Sequence, residues 1–148
     1  MQTFLPYPNF KETAKCLDRQ RLGKQRIEAY QLLSLMIDNN KKAWRNHPAF
    51  KMWDGYDISL VRYGITICNE WVRRGYKDSM KERFIDILNS FLPYNNQCDP
   101  YWLGNEDFHA SHRSNLLRKN FDYYQQFGWT ESNDLEYIWP TNEILVLS

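Results

Sequence analysis

Apolar residues recur at helical spacing over most of the chain, and the exceptions fall at its two ends. Pro6 and Pro8 disfavour helix at the residues before them, which predicts an extended segment over 3–8. Asn9 followed by Glu12 has capping-box spacing and predicts a short helix to about Leu17. Asp18 caps or continues into a long helix from 19 to about 38, ended by the polar run 39–42, and 44–48 reads as a connector. Met52, Tyr56, Leu60, Tyr63, Ile67 and Trp71 form one stripe from about 49 to 74, stopped at Gly75 and interrupted by Gly55 and Gly64. Ser79 with Glu82 opens a further helix with Phe84, Ile85, Leu88 and Phe91 on its apolar face. A loop over 95–104 leads to a helix capped by Asn105 that holds His109, His112, Leu116 and Leu117, and a short turn over 123–127 ends at Gly128. The tail, with Ile138, Pro140 and 144–147, is expected to be irregular or a short edge strand packed on the helices. The pattern predicts a mostly α fold, a single compact multi-helix domain over 1–148 with irregular N- and C-terminal segments.

Composition adds two features. Aromatic residues make 16% of the 148 residues, enough for a bulky core, a stacking platform, or both. Net charge is only +1, but residues 129–148 hold Glu131, Asp134, Glu136 and Glu143 and no Lys or Arg. Residues 1–128 therefore carry nineteen basic against fourteen acidic residues, and 11–26 alone carry six against two. A local polyanion-binding patch is allowed. Cys16, Cys68 and Cys98 lack the spacing of a disulfide framework or a zinc-thiolate site. With no signal-peptide pattern at the start and no long apolar run, a cytoplasmic protein without a membrane segment is expected, acting as a monomer.

On the long helix, Arg21, Lys24, Glu28 and Gln31 share one side, with Gln25 at its margin. Leu32 and Leu35 fall on that side too, and an apolar half of a stripe draws its polar half inward. Two readings stand: a solvated face with a Lys24–Glu28 ion pair, or a semi-buried site. In the second, Lys24 beside Arg21 is a candidate amine nucleophile, and Glu28 supplies a carboxylate that moves protons or stabilises an oxocarbenium-like sugar.

The histidines lie in two dense motifs, Arg45-Asn46-His47-Pro48 and His109-Ala110-Ser111-His112-Arg113-Ser114-Asn115. His109 and His112 share a helical face but have no third ligand nearby, so no metal is expected. His112, Arg113 and Asn115 read either as phosphate or base contacts or as satisfied structural groups. Trp44, Trp53, Tyr56 and Trp102 flank these motifs as core aromatics or as stacking surfaces.

Taken together, Leu17-Asp18-x-x-Arg21-Leu22-x-Lys24-Gln25-x-x-Glu28-x-x-Gln31, Asn46-His47-Pro48, Tyr63-Gly64, Glu70-Trp71 and His109-x-x-His112-Arg113 resemble the pyrimidine dimer DNA glycosylase family of the endonuclease V type. The likeness spans residue 1 to about 140 and is closest to the family's divergent bacterial and phage branch. It implies a small helical DNA-repair enzyme, without cofactor or metal, that flips a nucleotide from duplex DNA and cleaves its N-glycosidic bond. A protein amine would form an imine with the sugar C1′, and β-elimination would nick the strand. In the family the amine is the α-amino group of a small residue exposed by removal of the initiator Met. Here Gln2 is large, so the amine is assigned to Met1. The family's catalytic Glu falls nearer Lys24 in an ungapped match, and the role is assigned to Glu28. Arg21, Gln25, Gln31, Arg45, Asn46, His47, Trp53, Tyr56, His109, His112, Arg113 and Asn115 then become candidates for substrate binding, with Trp102 a further stacking candidate. An enzyme acting on a free nucleotide or small glycoside and a non-catalytic base-binding module are the alternatives.

Overall fold

The computed structural model describes residues 1–37, 45–91 and 98–140. Among these residues the chain forms α1 (Phe10–Cys16), α2 (Arg19–Ile37), α3 (Pro48–Trp53), α4 (Asp57–Arg73), α5 (Met80–Phe91), α6 (Glu106–Lys119), α7 (Phe121–Tyr124) and a 3₁₀ turn (Gln125–Phe127), with no strand. The fold is mostly α, as the periodicity predicts. The polar run at 39–42, Trp44, the first part of the 95–104 loop and the apolar 144–147 segment lie outside the described residues.

The helix starts follow their caps. The Asn9 side chain accepts the Glu12 N–H at 2.9 Å, and the Asn105 side chain accepts the Phe108 N–H at 3.1 Å. For α5 the cap is not Ser79: the Asp78 carboxylate accepts from the N–H groups of Met80 and Lys81 at 3.1 and 2.8 Å. The stripe over 49–74 is two helices. The chain breaks at Gly55, whose φ of +87° suits glycine, and His47 caps α3 by accepting the Ala49 N–H at 3.0 Å.

Gly64 does the opposite and lies inside unbroken α4. A Cβ there would stand 2.4 Å from the Phe84 ring, so glycine lets α5 approach α4 closely. Gly64→Ala is expected to cost about 1–3 kcal/mol by overpacking, more than the roughly 1 kcal/mol that alanine returns as helix propensity. A lower urea midpoint with an unchanged slope would report it; an unchanged midpoint would mean that Phe84 yields freely.

α2 packs on α4, which also packs on α1 and α5. Leu22, Ala29, Leu32 and Leu33 of α2 join Leu60, Val61 and Ile67 of α4 in the core. Most of the aromatic excess is spent here. Trp53 is fully buried, with its ring edge-on to that of Trp102 at 5.0 Å. Its indole N–H donates to Thr3 Oγ1 at 2.9 Å, and that of Trp102 donates to the Met52 carbonyl at 2.8 Å. Both rings are core residues, so their assignment as stacking surfaces is corrected. Among the described residues no helix is long and apolar enough to cross a membrane.

Candidate active site

The extended N-terminal segment, a single strand of backbone paired in no sheet among the described residues, runs through the interior and is bonded at nearly every residue. Gln25 Oε1 accepts the Phe4 N–H at 3.0 Å, and Gln25 Nε2 donates to the Gln2 carbonyl at 2.9 Å. Leu5 is held on both sides by α6: its N–H donates to His112 Nδ1 at 2.9 Å, and its carbonyl lies 2.7 Å from His109 Nδ1. His109 Nε2 accepts the Gly104 N–H at 2.9 Å, which places its proton on Nδ1, toward Leu5. Arg113 Nη1 donates to the Pro6 carbonyl at 2.8 Å.

This pinning delivers Met1 into a cleft of about 340 Å³, inside the roughly 300–1,000 Å³ range of small-molecule sites. One wall is polar and comes from α2 and the end of α6: Gln20, Arg21, Lys24, Gln25, Glu28 and Lys119. The aromatic part of the lining comes from Phe4, His47, Tyr137 and Trp139. The His47 and Trp139 rings meet edge-on at 6.1 Å, and Tyr137 and Trp139 lie 5.6 Å apart.

Glu28 is half-buried in this cleft. Burial pushes its carboxyl above the ordinary carboxylate range, opposed by the N-terminal amine, Lys24, the Gln25 amide and the Gln2 N–H. The direct side-chain hydrogen bond comes from Gln25 Nε2 to Glu28 Oε2 at 2.9 Å, so Gln25 and not Lys24 is its partner. Lys24 is exposed at the rim. Arg21 is turned toward Asp18, with Nη1 3.2 and 3.3 Å from its two oxygens. His47 is held below the usual imidazole range by burial and by the N-terminal amine, which leaves it a neutral ring on the aromatic wall.

Of the sequence candidates, the cleft gathers Met1, Arg21, Lys24, Gln25, Glu28 and His47. Gln31 and Asn46 are exposed elsewhere, Arg45 donates to the Leu35 carbonyl at 3.0 and 3.2 Å, and Tyr56 takes the N-cap position of α4. His109, His112, Arg113 and Asn115 are buried, and each is hydrogen-bonded to the chain's own backbone. Arg113 pairs with Glu106 and Glu131 besides Pro6. Asn115 Nδ2 donates to the Leu135 carbonyl at 3.1 Å. The assignment of these four to substrate binding gives way to a structural role, the one weighed for His112, Arg113 and Asn115 beside phosphate or base contact. Among the described residues no three His, Cys, Asp or Glu side chains gather as a metal site.

Residue spacing missed Phe4, Gln20, Lys119, Tyr137 and Trp139. The last two belong to a tail without periodicity, which α6 fastens in place. Ser114 Oγ accepts the Leu135 N–H at 3.0 Å, and Ser111 Oγ accepts the Ile138 N–H at 3.2 Å.

In comparison with known families, residues 1–83 match the model described as pyrimidine dimer DNA glycosylase. The match is shorter than the span of the motif resemblance; it includes Met1, Arg21, Lys24, Gln25, Glu28 and His47 and stops before Lys119, Tyr137 and Trp139. No curated protein and no solved structure matches the chain.

Proposed function

Because the chain belongs to the pyrimidine dimer DNA glycosylase family, we propose that it cleaves the N-glycosidic bond of a damaged or modified pyrimidine nucleotide in DNA and nicks the resulting abasic strand. The observation that carries this reading is one cleft lined by both Met1 and Glu28, with the Glu28 carboxyl and the His47 ring each in the electrostatic field of the N-terminal amine. Phe4, His47, Tyr137 and Trp139 offer a planar base an apolar wall. Arg21, Lys24 and Lys119 offer phosphates a cationic rim.

In this reaction the neutral Met1 amine attacks C1′ as the bond to the base breaks, and the base leaves with its electron pair. Opening of the C1′–O4′ bond gives the imine. Loss of a C2′ proton then expels the 3′ phosphate. Glu28, as the carboxylate, stabilises the cationic sugar and accepts protons along this path.

The test is borohydride trapping on abasic and dimer-containing duplexes, with intact mass first establishing that the protein begins at Met1. A covalent adduct mapped to Met1 is expected. An adduct on Lys24 would move the nucleophile, and no adduct on either duplex would remove amine catalysis on DNA. The cleft's modest volume favours a second reading, a free nucleotide or small glycoside as substrate. Duplex affinity that falls steeply with salt decides for DNA.

A further inference from the structure

The Gln25 side chain is bonded both to the extended N-terminal segment and to Glu28. It is fully buried, one turn before Glu28 on α2. Its carbonyl oxygen accepts from the Phe4 N–H at 3.0 Å and has the Tyr63 hydroxyl at 2.7 Å. Its NH₂ group donates at 2.9 Å to the Gln2 carbonyl and at 2.9 Å to Glu28 Oε2. Both N–H groups of the amide are used, and its oxygen is enclosed by the Phe4 N–H and the Tyr63 hydroxyl, so no edge is left open to a ligand. We propose that Gln25 is a positioning residue: its amide fixes the Glu28 carboxylate against the strand that ends at Met1, and it does not bind substrate. This inference rests on the reading above, in which those two groups are the reacting pair.

The chemistry of the position requires an amide. One edge meets an N–H donor at Phe4, and the other meets two acceptors, the Gln2 carbonyl and the Glu28 carboxylate. Glutamate would turn an oxygen toward both acceptors. Methionine would leave the Phe4 N–H, the Gln2 carbonyl and one carboxylate oxygen unpaired. The Phe4 N–H fixes which way the amide points, because a flipped amide would set its NH₂ against that donor, and the Tyr63 hydroxyl, 2.8 Å from the Phe4 carbonyl, braces the same residue. The rest of the strand has its own anchors, Thr3 on Trp53, Leu5 on His112 and His109, and Pro6 on Arg113. A change at Gln25 therefore loosens the first residues and the carboxylate before it loosens the strand as a whole.

The experiment follows Glu28 by carboxyl-detected NMR across pH in the full chain, for wild type, Gln25→Glu and Gln25→Met, with borohydride trapping in parallel. In Gln25→Glu the second carboxylate should raise the Glu28 midpoint by about a unit or more and move the acid limb of trapping with it. Trapping at neutral pH should fall roughly tenfold, equivalent to about 1.4 kcal/mol, with duplex affinity unchanged. A loss of duplex affinity with the Glu28 midpoint unmoved would make Gln25 a substrate contact and overturn the proposal. Should a variant fail to fold, wild type decides: the Gln25 side-chain amide signals must shift with the Glu28 midpoint, and amide signals that ignore it overturn the inference equally. If the midpoints behave as expected but even wild type gives no adduct, positioning of Glu28 stands and the glycosylase reading fails.

Discussion

Glu28→Gln is expected to cut adduct formation and strand nicking by about 10²–10⁴-fold while duplex affinity stays within a few-fold. The substitution is nearly isosteric, and the new carbonyl oxygen can still accept from Gln25 Nε2, which holds Glu28 Oε2 at 2.9 Å. What disappears is a charge. The reaction uses the carboxylate, so wild-type activity should fall as pH drops through the Glu28 pKa. Burial raises that pKa above the ordinary carboxylate range, so the limb lies at a higher pH than a free glutamate would give. In the glutamine variant the limb should vanish from whatever activity remains.

Stability should move the other way. An acid whose pKa is raised by folding contributes most below its unfolded pKa and loses that contribution as pH rises through its folded pKa. At neutral pH the half-buried carboxylate is therefore a cost, and Glu28→Gln should unfold at the same or a higher urea concentration than wild type. The gap should close as the pH is lowered through the Glu28 pKa. An inactive and less stable variant would instead assign Glu28 to the fold. A fully active one would end its catalytic assignment.

Local chemistry was legible wherever it acts within a turn or two of chain. Asn9 and Asn105 announce their helices because a cap and its N–H lie three residues apart. Arg21, Lys24 and Glu28 could be placed together for the same reason, since one helix carries all three. Gln25 fell at the margin of that stripe, yet it is the most enclosed of the group, because the strand that covers it begins more than twenty residues earlier in the chain. The His109–Asn115 motif shows the limit most clearly. Its density of polar groups was visible, but its partners were not: Leu5 and Pro6 stand 107 residues before His112 and Arg113 respectively. A wheel or a spacing rule carries no information across that distance.

The same limit hid the aromatic wall. Tyr137 and Trp139 have no periodic neighbours, and it is the serine hydroxyls of α6 that bring their segment to the cleft. Trp53 and Trp102 sit beside polar motifs in sequence, where spacing alone allows a stacking role. In space they face each other and the core. α6 thus builds the site from two sides, His109, His112 and Arg113 holding the segment that ends at Met1 and Ser111 and Ser114, on the other side of the helix, fastening the tail that bears Tyr137 and Trp139.

That double role makes His112 a point where acid should undo the protein, and lowering the pH from about 6.5 should cost wild type stability that His112→Asn retains. The ring is wholly enclosed, 4.4 Å from Phe108 and 5.5 Å from Tyr137 between ring centres. Its Nδ1 accepts the Leu5 N–H and so carries no proton. Burial, with His109 nearby, pushes its pKa down to about 3. An unfolded histidine binds its proton at about 6.5. Across that window the unfolded chain takes up a proton that the folded chain refuses, so stability is full above the unfolded pKa and falls with pH, at up to about 1.4 kcal/mol per unit for this one group. Asparagine is the informative replacement, because its Oδ1 can take the place of Nδ1 as acceptor for Leu5 without titrating. His109, also held down by burial, acts in the same direction, so the variant should lose part of the slope and not all of it. Urea melts at about pH 7, 5.5 and 4.5 would show the two curves converging as the pH falls. Curves that stay parallel would mean that His112 is not the group refusing the proton. Because the contact at stake holds Leu5, acid should free the strand along with the fold, whereas titration of Glu28 silences the cleft with the strand still in place. Activity and urea resistance measured on one pH series, in wild type and in both variants, should therefore resolve two separate acid limbs.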